Sequence, residues 1–230
     1  MTSQTALSGI DACLFDAYGT LFDVHRPIQR LADGLGPNAS DISVLWRQKQ
    51  VQYTWLRSLM GAYTGFAQVT ADALDHALNA FGISDNDLRR ELLDLYQTLD
   101  TYPEVPASLE KLRRLGVTTG VLSNGETGMI ESAARAAGIR DNLEHILSAD
   151  SAGIFKPHER VYQLAVDRLE LSPQRICFVS ANAWDVAGAA NFGYTVVWVN
   201  RFDQPPENLP GTPFGRIGSL DHLPPLLRNG

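Results

Sequence analysis

The chain has 230 residues, of which 44% are apolar and 20% are charged. This composition excludes an intrinsically disordered protein, which combines low hydrophobicity with high charge. The 19 basic and 26 acidic residues give a net charge of −7, and no run of Lys and Arg occurs. The sequence therefore lacks the basic surface of a nucleic-acid-binding protein, and we expect no nucleic-acid partner.

Neither a membrane nor a secreted environment is indicated by the sequence. No stretch of about 18 apolar residues is long enough to span a bilayer, and residues 1–10 lack the basic and apolar regions of a signal peptide. Cys13 and Cys177 each lie in a short apolar segment typical of a buried strand, so no disulfide framework or zinc site is predicted. We expect a cytoplasmic protein with no membrane partner.

Short apolar segments alternate with helical patterns along most of the chain. The strand-length segments are 11–16, 117–122, 145–147, 175–179 and 194–199. The helical patterns between them lie near 105–115, 126–137, 158–169 and 183–192. Continuous apolar strands indicate a sheet covered on both faces, and the alternation predicts an α/β protein with a doubly wound parallel sheet.

One interval, residues 26–100, contains no convincing strand. Two sets of residues there are spaced as along one helix face. They are Phe66, Val69, Ala73, Leu74, Ala77, Leu78 and Phe81, and, less regularly, Val44, Leu45, Gln48, Val51, Trp55 and Leu59. We expect several helices, inserted after the first strand, to form a small cap over its carboxyl end. The Pro-rich tail after Arg201 predicts a surface loop and a short final helix.

Polar and small side chains follow four of the predicted strands. They are Asp16 to Thr20, then Ser123 and Asn124, then Lys156, and finally Ser180, Asn182 and Asp185. Ligands of open parallel sheets bind at the carboxyl ends of the strands, so we expect these groups to converge. Asp16 alone can also be read as a turn-capping residue. A carboxylate held by the Gly19 turn beside an ammonium group is, however, what a nucleophilic Asp requires.

Four segments resemble the signature motifs of the haloacid dehalogenase superfamily: LFDAYGTLFD, LSNG, IFKPHERVY and FVSANAWDVAGA. A fifth, LWRQKQVQYTWLRSLMG, is similar to the cap of L-2-haloacid dehalogenases. The resemblance covers about residues 12–201. It implies a Rossmann-like core, placed at residues 1–22 and 100–230, with an inserted helical cap domain at residues 23–99.

The resemblance implies hydrolysis of short L-2-haloacids to D-2-hydroxy acids, with release of halide. Asp16 would attack C2 and form an aspartyl ester, while Thr20 and Lys156 would orient it and stabilise its charge. Asp185 would position or activate the hydrolytic water. Three polar side chains would support this network, namely Ser180, Asn182 and Tyr162.

The same resemblance assigns the binding of the substrate and of the departing halide. Ser123 and the backbone N–H groups of Ala17, Tyr18 and Asn124 would bind the substrate carboxylate. Arg47 from the cap, with Asn124 and Trp184, would hold the halide.

Two differences from the phosphatases of the superfamily bear on metal use. Tyr18 stands where those enzymes carry a second Asp, and Ser180 and Asn182 stand where they carry acidic residues that hold magnesium. Halide departs without a proton, so dehalogenation needs neither the second Asp nor the magnesium-holding acidic residues. We therefore expect no metal and no cofactor.

Other interpretations remain open at this point. The chain can be a hydrolase of another small carboxylate, a phosphatase of the superfamily, or a noncatalytic interaction module. Arg47 can be a solvated helix charge, Lys156 a surface lysine, and Tyr162 and Trp184 packing residues. Related enzymes suggest a homodimer, with which exposed cap aromatics would be consistent.

Overall fold

The computed structural model describes residues 6–227 and contains one six-stranded parallel sheet. The strands are β1 (Ala12–Phe15), β2 (Thr118–Ser123), β3 (His145–Ser148), β4 (Ile176–Ser180), β5 (Thr195–Val199) and β6 (Gly215–Ile217). Their order across the sheet is β3-β2-β1-β4-β5-β6. The chain therefore leaves β1 in one direction to build β2 and β3 and returns past it to build the other half, as a doubly wound sheet does.

The nine α-helices within residues 6–227 divide into two groups along the chain. The first group is α1 (Arg26–Arg30), α2 (Ala32–Leu35), α3 (Ala39–Met60), α4 (Phe66–Ala80) and α5 (Asn86–Tyr96). The second is α6 (Val105–Arg114), α7 (Thr127–Ala136), α8 (Glu159–Leu169) and α9 (Ala183–Phe192), which flank the sheet. The predicted α/β fold with a Rossmann-like doubly wound core and an inserted helical cap is confirmed. None of these helices is long and apolar enough to cross a membrane.

Strand β1 lies at the centre of the sheet and places the residue that follows it at the topological switch point. All four of its residues are fully buried, because β2 and β4 flank it in register. Cys13 is paired in register with Cys177 of β4, and both are buried free thiols. The neighbouring Cys177 and burial raise the pKa of the Cys13 thiol. The predicted buried strand positions of both cysteines are confirmed.

The predicted buried face of α4 is confirmed except for Phe81, which follows the helix end and is partly exposed. The predicted buried face of α3 is wrong. Helix α3 turns inward a different set of residues, Ile42, Ser43, Trp46, Gln50 and Thr54, and leaves Val44 and Leu59 exposed. Three of the inward residues are polar, and each has an internal partner. Gln50, for instance, donates to the Thr70 hydroxyl at 2.7 Å. Polar residues can be buried when they have hydrogen-bond partners. The prediction assumed that the apolar residues of α3 mark its buried face, and it therefore chose the wrong face.

The C-terminal region also departs from the prediction. Residues 202–210 form the expected exposed loop, but the short strand β6 was not predicted, and the expected final helix was wrong. Two 3₁₀ turns, Leu220–His222 and Pro224–Leu226, take its place. Pro224 and Pro225 supply no backbone N–H donor, which works against a continuous α-helix. Strand β6 has three residues, too few to show a strand period.

The chain crosses between the core and the helical cap at two adjacent points. The Asp23 N–H donates to the Asp100 carbonyl at 2.9 Å, and the Tyr102 N–H donates to the Leu21 carbonyl at 3.1 Å. These paired crossings lie close to residues 22/23 and 99/100, where we placed the domain boundaries. The boundaries themselves stay a prediction. The two ends of the predicted core domain, residues 1–5 and 228–230, lie outside the described residues.

Candidate active site

The first element of the site is the turn that follows β1. Asp16 is the first residue after the strand and is only 6% exposed. Gly19 has a φ of +89°, a conformation open to glycine at little cost, and the turn brings Thr20 back toward the strand end. The Thr20 hydroxyl donates to Asp16 Oδ2 at 3.1 Å. The turn thus fixes the orientation of the Asp16 carboxylate.

Lys156 lies between the two carboxylates of the site. Its ammonium nitrogen is 3.3 Å from Asp16 Oδ1 and 2.9 Å from Asp185 Oδ2. The side chain is 1% exposed, and the nitrogen lies 4.6 Å from the centre of the Phe178 ring. A buried ammonium group with two carboxylate partners is not a surface lysine. The convergence of Asp16, Lys156 and Asp185 expected from the sequence is therefore observed.

Asp185 is fully buried in the first turn of α9. Its Oδ1 accepts a hydrogen bond of 2.8 Å from the Tyr162 hydroxyl. Gly188, one turn later, permits this approach, because a Cβ there would lie 2.7 Å from the Tyr162 hydroxyl oxygen. Burial, opposed by Lys156 and reinforced by the charge of Asp16, raises the pKa of Asp185 to about 6. A carboxylate with such a pKa is suited to accept a proton near neutral pH.

The loop after β4 reaches the other side of Asp16. Asn182 donates from Nδ2 to Asp16 Oδ2 at 2.7 Å and to the Tyr18 carbonyl at 3.2 Å. The Ser180 hydroxyl accepts from the Asn182 backbone N–H at 3.1 Å. The Asn182 amide thus supports the Asp16 carboxylate, and Ser180 supports the loop that carries Asn182. Their predicted support of the Asp185 carboxylate stays a prediction.

Arg47 enters the site from α3 of the cap. Its Nη2 donates to the Tyr18 carbonyl at 3.0 Å and to Asn182 Oδ1 at 3.2 Å, and its Nη1 donates to Gln50 Oε1 at 2.7 Å. All three acceptors are neutral. No carboxylate among residues 6–227 forms a salt bridge with this guanidinium, so its positive charge faces the cavity uncompensated.

The loop after β2 supplies a hydroxyl and an amide. The Ser123 hydroxyl oxygen accepts from the Gly125 N–H at 3.1 Å, which leaves its own hydrogen free to donate. Asn124 Oδ1 accepts from the backbone N–H of Lys156 at 2.9 Å and so ties this loop to the lysine. Both residues line the cavity above Asp16.

This cavity is small and partly aromatic. Its wall is formed by Asp16, Tyr18, Arg47, Val51, Thr54, Phe66, Ser123, Asn124 and Trp184. Its volume is 10 Å³, room for about one water molecule. Trp184 packs edge-to-face on Trp55, with ring centres 5.3 Å apart. Six of the predicted residues thus line one small cavity, namely Asp16, Tyr18, Arg47, Ser123, Asn124 and Trp184.

Tyr18 contributes an aromatic wall rather than an acid. Its ring stacks on Tyr96 at 5.4 Å and lies 5.1 Å from Phe66. Burial raises the pKa of its hydroxyl far above the ordinary value, and that hydroxyl has no hydrogen-bond partner among the described residues. The position two residues after Asp16 is therefore unsuited to proton transfer near neutral pH.

Several residues of the site were not predicted from the sequence. Val51, Thr54 and Phe66 line the cavity, and Gln50 holds Arg47. Gln50 is three residues from Arg47 on one helix, which places the two on the same face. That spacing was a usable signal for Gln50. The lining role of Phe66 depends on how α4 meets the core, which helical periodicity does not show.

Comparison with known proteins identifies the family of the chain. The family of haloacid dehalogenase-like hydrolases matches residues 10–193, a range that includes every strand-end loop described above. The chain belongs to this family. The haloacid dehalogenase resemblance inferred from the motifs is thereby confirmed.

Relatives within the haloacid dehalogenase-like hydrolases are similar over nearly their full length. (S)-2-Haloacid dehalogenase 1 from Pseudomonas sp. (strain CBS-3) is 45% identical over 95% of this chain and 96% of its own. (S)-2-Haloacid dehalogenase 4A from Burkholderia cepacia is 43% identical over 96% of each chain. The structure of L-2-haloacid dehalogenase from Xanthobacter autotrophicus with covalently bound chloropropionic acid has a TM-score of 0.89. It is 32% identical and covers 94% of this chain and 98% of that one.

Proposed function

We propose that this chain is an (S)-2-haloacid dehalogenase that converts short L-2-haloacids to D-2-hydroxy acids and halide. The observation that carries the proposal is the pairing, on one cavity, of the Asp16 carboxylate with the uncompensated guanidinium of Arg47. A nucleophile and a cation for a departing anion are the two groups that displacement of halide needs. The curated relatives that carry this activity support the assignment.

In the first step, Asp16 attacks C2 of the haloacid. Its Oδ2 already accepts hydrogen bonds from Thr20 and Asn182, whereas Oδ1 has the longer 3.3 Å contact with Lys156. We assign the attack to Oδ1, whose lone pairs are less engaged. A bond forms between Oδ1 and C2, and the carbon–halogen bond breaks with its electron pair. The products of this step are an aspartyl ester and a halide ion.

Binding of the substrate depends on two groups of donors. The Ser123 hydroxyl and the backbone N–H groups of Ala17, Tyr18 and Asn124 bind the carboxylate, which aims C2 at Asp16. Arg47, Asn124 and Trp184 receive the halide on the opposite side of that carbon. The negative charge that develops on the halogen meets a positive charge already in place, which lowers the barrier without reorganisation.

In the second step, water attacks the carboxyl carbon of the Asp16 ester. Asp185 takes a proton from this water, and the bond between that carboxyl carbon and the ester oxygen breaks. The proton returns to the departing oxygen, and a 2-hydroxy acid leaves. Tyr162 and Lys156 hold Asp185 for this task through their contacts at 2.8 Å and 2.9 Å.

Halide release in the presence of EDTA tests the proposal against the phosphatase alternative. Lys156 lies between the carboxylates, and Tyr18 stands in the acid position, so we expect release of chloride from L-2-chloropropionate to survive exhaustive chelation. We also expect little hydrolysis of p-nitrophenyl phosphate with added magnesium. Activity on the phosphate ester that depends on magnesium, without halide release, would contradict the proposal.

We also propose a homodimer in the cytoplasm. Helix α3 exposes four large apolar side chains, Val44, Leu56, Leu59 and Met60, of which Leu59 is 84% exposed. Apolar side chains grouped on one exposed helix favour a protein interface. The two buried free thiols suit a reducing compartment. Light scattering of the wild type and of Leu59→Glu tests the dimer, since we expect the charged variant to be monomeric.

A further inference from the structure

The geometry points to Glu126 as a positioning residue that holds the helical cap closed over Asp16. Glu126 follows the Ser123–Gly125 loop of the core, and its Oε1 accepts a hydrogen bond of 2.9 Å from the backbone N–H of Ala67 in the first turn of α4. We call this hydrogen bond the latch. Its effect on catalysis rests on the proposed function, but its effect on cap opening does not.

The latch provides a hydrogen-bond acceptor that the N-terminus of α4 lacks in its own sequence. A helix N-terminus leaves backbone N–H groups without acceptors, and a side chain at the residue before the first turn usually accepts one of them. That residue here is Gly65, which has no side chain to do so. Glu126 provides the acceptor from another part of the chain, with a negative charge that the helix N-terminus favours.

Gly65 and Glu126 fit each other sterically. A Cβ at residue 65 would overlap Glu126 Oε1, and it would also lie 3.0 Å from the carboxyl carbon of that side chain. The glycine therefore leaves the space through which the carboxylate reaches Ala67. Because the overlapping atom is the end of a flexible side chain, Gly65→Ala can displace the carboxylate without disturbing the backbone.

The latch joins two parts of the proposed active site. On the core side, Glu126 directly follows the loop that carries Ser123 and Asn124, and its carbonyl accepts from Ile130 N at 3.1 Å to begin α7. On the cap side, α4 begins with Phe66, which lines the cavity. One side chain thus connects the carboxylate-binding loop to the aromatic wall.

Substrate entry is the step at which we expect this connection to break. The narrow space above Asp16 admits about one water-sized sphere, which is less than a haloacid occupies, so we expect the cap to move away from the core when substrate enters. Another hydrogen bond between cap and core, from the Phe155 N–H to the Ser58 hydroxyl at 3.2 Å, also breaks when they separate. The exchange of the Phe155 amide hydrogen therefore reports opening without depending on Glu126 itself.

Amide hydrogen exchange of the unliganded protein tests the latch directly. In Glu126→Ala we expect exchange at Phe155 to accelerate about fivefold, the effect of losing one helix-capping acceptor. Glu126→Gln keeps an acceptor oxygen and should retain most of the protection. Glu159→Ala, which removes an exposed acidic residue from the first turn of α8, is the matched control and should leave exchange at Phe155 unchanged.

A double-mutant comparison separates the latch from a local effect at either residue. Gly65→Ala alone should accelerate Phe155 exchange as Glu126→Ala does, because its Cβ displaces the carboxylate. In the Glu126→Ala background the same Gly65→Ala change should add little, since no carboxylate remains to displace. Additive effects would overturn the assignment. So would faster exchange at Ala67 alone with Phe155 unchanged, because Glu126 would then stabilise only the helix end.

Binding kinetics give the functional readout. Stopped-flow tryptophan fluorescence with the product-like D-2-hydroxypropionate should show association and dissociation rates that both rise about fivefold in Glu126→Ala. The Kd should change less than either rate, since the latch is present in both the free and the bound closed states. A changed Kd with unchanged rates would overturn the positioning role. A wild type that binds no 2-hydroxy acid and releases no halide would count against the proposed function, and Phe155 exchange would still decide the latch.

Discussion

The ammonium group of Lys156 lies 2.9 Å from Asp185 Oδ2, and neither side chain is exposed by more than 1%. Asp16, on the other side of the ammonium, is at the longer distance of 3.3 Å. Two buried carboxylates thus share one buried cation. The buried cluster has one more negative charge than positive, and Lys156 is what allows both carboxylates to be charged together.

Removal of Lys156 should therefore destabilise the protein in a pH-dependent way. Lys156→Met leaves two buried carboxylates without a cation, and we expect the free energy of unfolding to fall by about 3 kcal/mol at pH 7.5. The loss should be smaller at pH 5, because protonation of Asp185 relieves the repulsion. Denaturant unfolding at the two pH values measures this. Lys111→Met removes an exposed lysine from α6 and is the control. If Lys156→Met lowered the free energy of unfolding equally at both pH values, the charge assignment would be contradicted.

The pH dependence of turnover should report Asp185. Its pKa is about 6, and in the proposed mechanism its ionised form accepts the proton from water, so kcat should fall as the pH is lowered through about 6. The hydrogen bond from Tyr162 lowers this pKa, so Tyr162→Phe should move the acid limb to higher pH. Tyr194→Phe is the matched control, because its hydroxyl donates to the Tyr162 carbonyl rather than to the carboxylate. A limb that does not move in Tyr162→Phe would remove Tyr162 from the proton-accepting network.

The pKa of Asp185 in the folded state also predicts whether its contribution to stability rises or falls with pH. It lies above the ordinary value of 3.8, so the native state binds this proton more tightly than the unfolded chain does. The favourable contribution of the protonated group is complete below about pH 4 and is lost as the pH rises through about 6. We therefore expect the stability of the wild type, relative to Asp185→Asn, to decline over that interval in urea titrations. A relative stability that rises with pH would contradict the assigned shift.

The core of the site could be predicted because its side chains occupy fixed places at strand ends. Once β1, β2 and β4 were recognised from their apolar segments, the parallel order of the sheet brought Asp16, Ser123 and Asp185 to one edge. The cap was harder to predict. Helix α3 buries Gln50 and Thr54 and exposes Leu59, the reverse of what hydrophobicity indicates.

Interactions between distant segments set the limit of prediction from this one sequence. The buried position of Gln50 depends on Thr70 and Tyr96, which lie on other helices. Likewise, Glu126 reaches Ala67 across 59 positions of the chain, and a lone Glu after a strand-end loop carries no local signal of such a contact. Periodicity describes one helix at a time, whereas these contacts depend on how the helices meet.

Arg47 should act mainly in the transition state. Its hydrogen-bond partners in the described part of the chain are all neutral, so its charge can stabilise the halide as the carbon–halogen bond breaks. We expect Arg47→Ala to lower kcat about 100-fold, as loss of an electrostatic transition-state donor does. Arg47→Lys should also be impaired, because an ammonium group lacks the planar fork that reaches Tyr18, Asn182 and Gln50 together.

A second arginine of the same helix provides the control for Arg47. Arg57 lies on α3 and pairs with Asp72 within the cap, so Arg57→Ala should leave kcat within about twofold of wild type while lowering stability by at most about 1 kcal/mol. Steady-state halide release measures both variants. Near-normal turnover in Arg47→Ala would show that its charge serves only to fix the cap.

The location of ¹⁸O after one turnover tests the central claim, that Asp16 is the nucleophile. Attack by Asp16 and direct attack by water both invert C2 and both give the D-hydroxy acid, so stereochemistry does not separate them. With enzyme in excess over an L-2-haloacid in H₂¹⁸O, hydrolysis of an aspartyl ester should place the label in the Asp16 carboxylate, as read by peptide mass spectrometry, and leave the product unlabelled. Label in the hydroxy acid, with the Asp16 peptide unlabelled, would contradict the covalent mechanism.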